Sequence, residues 1–529
     1  MLFNSLDYLV FLALTLAGFW ALRRYGPERD VAEQTEREGK PVRRVAVRGT
    51  WLRLLFITLA SCVFYAAWNW RYLGLMVVST LLDYLVGLGL GRTDDPKKRK
   101  ALLLVSCVGN LGMLGVFKYY NWFADSTQVA LSTLFGIDVQ IPFLDVALPV
   151  GISFYTFQTL SYAIDVYRRQ IEPTRNFLEF AFFVTFFPQL VAGPIVRAAE
   201  FLPQLERPPW LTRERVGHGL FLIGLGLTKK IVFADFVSVN LVDRVFDDPA
   251  AFSSTEVLVG LYGFTLQIYA DFSGYTDVAR GSGMLFGFDL PENFDRPYQA
   301  KSVAEFWRRW HMTLSTWLRD YLYFPLGGSR HGAARTYFNL WLTIFLIGLW
   351  HGASWTFVIY GNLQACAVML NRFLEHSRRP QTAPTTRLGA LLRGFFLVLV
   401  WPWNALVRLG RRPDGRDAFW LDLLRVVLTM QFVVFSRILF RATSLENAAD
   451  VTAQLFAGTT SLAQIDGDVW RVLVLGFYLH YVPRSQLQWI RARFVGMPAW
   501  AQGVALAALA VVLALFATGD VVPYIYFQF

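Results

Sequence analysis

The sequence predicts an all-α, polytopic membrane protein. Three observations carry that prediction. The 529 residues are 55% hydrophobic and 16% aromatic. Only 17% are charged, where a soluble domain is nearer about 25%. The mean hydropathy is +0.38, and apolar residues gather into runs approaching the ~20 that carry a helix across a bilayer.

The elements follow in chain order. The N-terminal stretch MLFNSLDYLVFLALTLAGFWAL has no basic region before its apolar run and carries Asp7, so it reads as a retained span rather than a cleaved signal peptide. The candidate spans are 5–22, 52–70, 72–90, 101–123, 147–167, 177–197, 216–241, 255–272, 337–360, 386–402, 419–440, 468–482 and 500–518. Some of these are expected to be re-entrant or interfacial, leaving roughly eleven crossings. The polar segment 23–49 lacks periodicity and reads as a flexible loop. A polar, proline-containing break at 376–393 divides the chain into a core, 1–375, and a C-terminal group of helices, 376–529. No internal repeat is visible, which weighs against a secondary transporter.

The net charge is +11. The basic residues sit in short loops between apolar runs, so the positive-inside rule explains them and nucleic-acid binding is excluded. The Arg-rich 23–49 segment and the Arg92, Lys97–Lys100 cluster both read as cytoplasmic, which puts the N-terminus outside. Cys62, Cys107 and Cys366 are scattered through apolar stretches, with neither disulfide nor zinc spacing. The six histidines give no metal cluster; a bis-histidine haem is the cofactor alternative, and no bound cofactor is expected. No P-loop, GxGxxG after a strand, HExxH or GxSxG is present.

Chemistry concentrates in two segments. The first, FWRRWHMTLSTWLRDYLYFPLGG at 306–328, reads as one amphipathic helix over 303–323. Trp307, Trp310, Leu314, Trp317 and Tyr321 share one stripe; Arg308, Ser315 and Arg319 share another; His311 lies between them. Arg319 and Asp320 make a lipid-exposed span untenable. An interfacial aromatic belt is the plain alternative. The second segment, GLWHGASW at 348–355, places His351 in a nearly uncharged run. Gly348 and Gly352, four apart, mark a small-residue groove, and Ser354 lies one turn from His351. A buried neutral imidazole is a competent general base; a packing histidine is the plain alternative. A third cluster, 269–298, holds Asp271, Asp277 and Arg280 and ends in the turn-rich Asn293–Tyr298. Its carboxylates, like Lys229 and Lys230, read as structural ion pairs or polar marks without an assigned role.

Together, LPVGISFYTFQTLSYAIDVYR at 148–168, FPQLVAGPIVRAAEFLPQL at 187–205, DFSGYTDVARGSGMLFGFDLPENFDRPY at 271–298, the two histidine segments and FRATSLENA at 440–448 resemble the membrane-bound O-acyltransferase superfamily. They are most similar to its bacterial alginate O-acetyltransferase branch, to which the D-alanyl transfer protein of lipoteichoic acid synthesis is related. The resemblance implies a ring of transmembrane and re-entrant helices around a tunnel, in a bacterial inner membrane. It implies acyl transfer to a hydroxyl, with His351 as catalytic base and His311 as a second catalytic position for donor or acceptor. Trp310, Ser315, Arg319, Asp320, Asn293, Gly348, Gly352 and Ser354 are then candidates for the substrate path.

The same resemblance implies a cytoplasmic acyl donor, acetyl-CoA or an acyl carrier protein, and outward delivery to an extracytoplasmic SGNH-type acetyltransferase that modifies an exported, alginate-like polysaccharide. Membrane lipids are the other partner. Transfer of D-alanine or another acyl group, or lipid or polysaccharide transport without chemistry, are the competing functions. The C-terminal PYIYFQF at 523–529 is similar to a terminal FxYxxF pattern of such export systems, with Tyr524 in place of the first Phe. By that resemblance Tyr526 is a candidate acyl shuttle, since a phenol is both nucleophile and leaving group. An aromatic interfacial anchor is the plain reading.

Overall fold

A computed structural model describes residues 2–22, 30–37, 40–47, 50–206, 210–377, 402–411, 417–517 and 522–525. The described chain is helical, with one departure. Asp30–Arg37 and Lys40–Val47 pair as an antiparallel hairpin, in register from Asp30↔Val47 to Arg37↔Lys40. Within the expected 23–49 loop, residues 30–37 and 40–47 are therefore strands. Its valines at 31, 42, 45 and 47 favour a strand, and the register sets Glu33 opposite Arg44.

Among the described residues, four helical stretches are long and apolar enough to cross a membrane: Trp51–Arg92, Pro96–Phe135, Phe419–Arg441 and Ala499–Phe516. The first bends through a 3-10 turn at Trp70–Tyr72, as the abutting expected spans require. Other apolar runs are built differently. Residues 177–197 form Phe177–Thr185, a break, and the single turn Phe187–Leu190, with nearly every side chain from Phe180 onward buried. Hydropathy does not separate a lipid-facing helix from one enclosed by protein, and these are enclosed. The candidate 386–402 lies almost entirely outside the described residues.

The contacts divide the chain into two units. The first comprises Met1–Asn240, Leu266–Glu292 and Val482–Phe529; the second comprises Leu241–Thr265 and Asn293–Tyr481. This division cuts across the chain order and does not fall at residue 376.

In the first unit, small residues set the packing. Gly219 and Gly226 of the helix Arg213–Thr228 face Gly281 and Gly274 of the helix Ser254–Leu285. A Cβ on Gly226 would lie 2.5 Å from the Gly274 carbonyl oxygen, so these backbones touch directly. Gly151, at φ 77°, starts the buried helix Ile152–Tyr167 and lies against the Leu190 carbonyl. The acidic residues of the 269–298 segment pair as expected of structural ions. Asp277 takes Lys229 and Asp271 takes Lys230, each at 2.6 Å. Lys230 also takes Asp235 at 2.7 Å. The C-terminal residues 522–525 close this cluster. The Ile525 N–H donates to Asp271 Oδ2 at 2.9 Å, and the buried Tyr524 ring lies 4.4 Å from Lys230 Nζ.

The second unit is assembled around the helix pair Gly332–His351 and Trp355–Ser377. Gly348 abuts Gly361 of the second helix, where a Cβ would meet the Gly361 Cα at 2.4 Å. Phe419–Arg441 packs against the same second helix. A buried polar chain runs through these elements. Trp307 Nε1 donates to Gln364 Oε1 at 3.3 Å, and Gln364 Nε2 donates to Ser436 Oγ at 3.0 Å.

Candidate active site

The expected continuous helix over 303–323 is broken at its most interesting residue. Val303–Arg309 ends at Trp310, Met312–Leu318 begins after His311, and Arg319–Tyr323 widens into a π-turn. His311 itself sits at φ 42°, ψ 56°, in the left-handed region. A non-glycine residue there costs about 1–3 kcal/mol and persists only where its surroundings impose it. The single aromatic stripe is lost because the break turns the two halves differently.

Asn293 imposes the break. Its carbonyl oxygen accepts from Met312 N at 2.9 Å, while Asp295 N donates to the Arg309 carbonyl at 2.9 Å. Its Oδ1 accepts from Thr313 N at 3.3 Å and from Thr313 Oγ1 at 2.9 Å. These satisfy the first donors of the new helix, so Asn293 caps it from a distant segment. The same Oδ1 lies 3.0 Å from His311 Nδ1. An oxygen already accepting two hydrogen bonds is the acceptor here too, so Nδ1 carries the proton and the lone pair resides on Nε2. His311 is fully buried. Outside the spanning segments, burial pushes its pKa down to about 3, so the ring is neutral.

His351 is the last residue of Gly332–His351 and is also buried. Both histidines contact one indole: the Trp350 ring centroid is 5.5 Å from His311 and 5.1 Å from His351. His351 also meets Phe440 edge-on at 5.0 Å and lies near Phe357 at 6.4 Å. The structure thus gathers His311, His351, Asn293, Trp310 and Trp350 in the second unit. Trp310 is buried against Phe306 and Phe294.

The other candidates are distributed differently. Ser315 is half-buried, one turn past His311. The expected groove at Gly348 and Gly352 is filled from within: Gly348 by the backbone of Gly361, Gly352 by the Phe357 ring. Gly352 stands beyond the helix end in extended backbone, so it does not share a helical face with Gly348. Ser354 exchanges a hydrogen bond with Thr356 at 2.7 Å at the start of the next helix. Arg319 is exposed and binds its neighbour Asp320 at 2.7 Å, away from the histidines in any described contact. Tyr526 lies outside the described residues. Among the described residues, no three His, Cys, Asp or Glu side chains form a group able to hold a metal.

Sequence reasoning missed Arg437. Its side chain is buried in the same aromatic box, with the guanidinium carbon 4.8 Å from the Trp310 ring and 5.3 Å from Phe440. The signal was present: a lone arginine inside an apolar run is a functional candidate in its own right.

The chain is similar in sequence to known membrane acyltransferases. The sequence model of the membrane-bound O-acyltransferase family matches residues 168–409. The chain is 41% identical to a probable alginate O-acetylase of Azotobacter vinelandii over 356 residues, covering 66% of this chain and 68% of that protein. It is 37% identical to a peptidoglycan O-acetyltransferase of Helicobacter pylori over 374 residues, covering 66% and 70%. A teichoic acid D-alanyltransferase of Bacillus subtilis is 25% identical over 304 residues, covering 55% and 68%. With two buried histidines meeting at one tryptophan inside the matched region, and with relatives of this similarity, the chain belongs to the membrane-bound O-acyltransferase family and is an O-acyltransferase of the membrane.

Proposed function

We propose that this enzyme carries acetyl groups across a bacterial inner membrane for O-acetylation of an exported polysaccharide, alginate or a polymer like it. Acetyl-CoA is the donor, reached from the cytoplasm. The observation that carries the reading is the pair of buried imidazoles on Trp350, one of them oriented by Asn293. In the reaction, His351 takes the proton from an acceptor hydroxyl. The hydroxyl oxygen attacks the acyl carbon, the C–S bond of the thioester breaks, and the proton passes to the departing thiolate. His311, with its Nδ1–H fixed, presents Nε2 to donor or acceptor.

A second assignment exchanges the two roles. The Asn293–His311 bond favours it, because an oriented base is how imidazole catalysis is usually arranged. Acetylation of the Tyr526 hydroxyl, followed by hand-over to an extracytoplasmic SGNH-type transferase, completes the route. The contacts of Tyr524 with Lys230 and of Ile525 with Asp271 support it, since the two residues immediately before Tyr526 are buried in protein.

The test is release of free thiol from acetyl-CoA by the full-length protein in lipid nanodiscs, with a soluble hydroxyl acceptor present. Acceptor-dependent release supports the reading. Release with D-alanyl carrier protein alone would move the enzyme to the D-alanyl class.

A further inference from the structure

Arg437 is a buried cation with no described counter-charge. It lies in the helix Phe419–Arg441 and is 1% exposed. Arg441, one turn on, pairs with Asp243 at 2.6 Å, whereas among the described residues Arg437 has no carboxylate partner. Among the described residues its one hydrogen bond runs from Nη1 to the Tyr360 hydroxyl at 3.5 Å. Nε and Nη2 have no hydrogen-bond partner among the described residues. Three rings surround the guanidinium, those of Trp310, Phe440 and Phe306, at 4.8, 5.3 and 6.0 Å. Aromatic faces attract the charge but accept none of these N–H bonds. A buried charge left in this state is strongly unfavourable unless something completes it.

The open nitrogens define what completes it. Nε and Nη2 form one edge of the planar guanidinium, and their N–H bonds point the same way. That edge is the fork that binds two oxygens of one anion in parallel. A single oxyanion would use half of it. The box is shared with the site: Trp310 precedes His311, and Phe440 contacts His351 at 5.0 Å.

We propose that Arg437 is the anion-binding residue of the acyl-transfer site, taking a phosphate or carboxylate of donor or acceptor along its Nε–Nη2 edge. The assignment rests on the acyl-transfer reading above for the identity of the substrate, but the binding itself requires no turnover.

The test uses the full-length protein in detergent and two probes, inorganic phosphate and acetate, titrated against tryptophan fluorescence and melting temperature. Arg437→Lys keeps the charge and loses the fork; Arg437→Gln loses both. Wild type binds at least one anion, Arg437→Lys weakens that binding about 10-fold, and Arg437→Gln abolishes it. Preference for phosphate assigns the donor, and preference for acetate assigns an acceptor carboxylate. In transfer assays Arg437→Lys raises KM for the substrate that bears the anion and changes kcat little. No anion binding by wild type, or equal affinity in Arg437→Gln, overturns the proposal. Loss of transfer by wild type with intact anion binding counts against the reaction assigned above and leaves Arg437 in place.

Discussion

Asn293 and His311 meet through Oδ1 and Nδ1 at 3.0 Å, and the asparagine that fixes the imidazole tautomer also starts the helix after it. Catalytic geometry and local folding therefore depend on one side chain. Asn293→Ala removes the acceptor for Nδ1–H and frees the ring to turn. On the second assignment, with His311 as the base, its kcat is expected to fall about 10²-fold, the lower range for losing an oriented acid–base group, with a smaller change in KM. Because the His311 pKa lies near 3, the ring is neutral at both pH 6 and pH 8. The loss is therefore the same at both values, measured as initial rates of thiol release.

Gly348 and Gly361 are in backbone contact. Gly348→Ala puts a methyl group into the Gly361 backbone, which cannot yield as a flexible side chain would. It is expected to cost about 1–3 kcal/mol or more and to lower the melting temperature in detergent. Gly112→Ala is the control. It lies in a helix interior with nothing within 4 Å of the new Cβ, and it raises stability by about 0.5–1 kcal/mol.

Lys230 stands between Asp235 and Asp271 with its side chain 1% exposed. Lys230→Met leaves two buried carboxylates facing one another and is expected to cost about 3–5 kcal/mol, read as lost expression or a lowered melting temperature. The half-exposed Lys301–Asp422 pair supplies the contrast: Lys301→Met costs about 0–1 kcal/mol.

Much of this was legible in the sequence, and the failures have physical causes. Apolar runs gave the helical membrane class. The cost of an imidazole in an apolar segment singled out His311 and His351, and both are buried against Trp350. The break at His311 was not legible, because helical periodicity assumes an unbroken helix and the breaking partner, Asn293, is 18 residues away. At Gly348 another helix does approach the backbone, through Gly361, but Gly352 does not share that face because it falls just past the helix end. Arg437 was passed over because the four charges of that 23-residue helix, Asp422, Arg425, Arg437 and Arg441, lie toward its two ends and leave a segment apolar enough to span. The pairing of Lys229 and Lys230 with Asp277 and Asp271 needed the fold, since nothing in the spacing connects residues more than 40 apart.

Tyr526→Phe separates shuttle from anchor. The ring is kept and only the hydroxyl is lost, so an aromatic anchor tolerates it fully. The shuttle needs that oxygen for its ester. Acetyl content of the exported polymer is expected to fall to background in the variant, with the protein present at wild-type level in the membrane.

The most direct measurement is the rate of labelled-acetyl transfer from acetyl-CoA by full-length protein in nanodiscs, wild type against His351→Ala. Membrane insertion is checked on the same samples. Transfer is expected to fall about 10²–10⁴-fold in the variant, with insertion unchanged. Transfer at the wild-type rate by correctly inserted His351→Ala would contradict the assignment of His351 as the base.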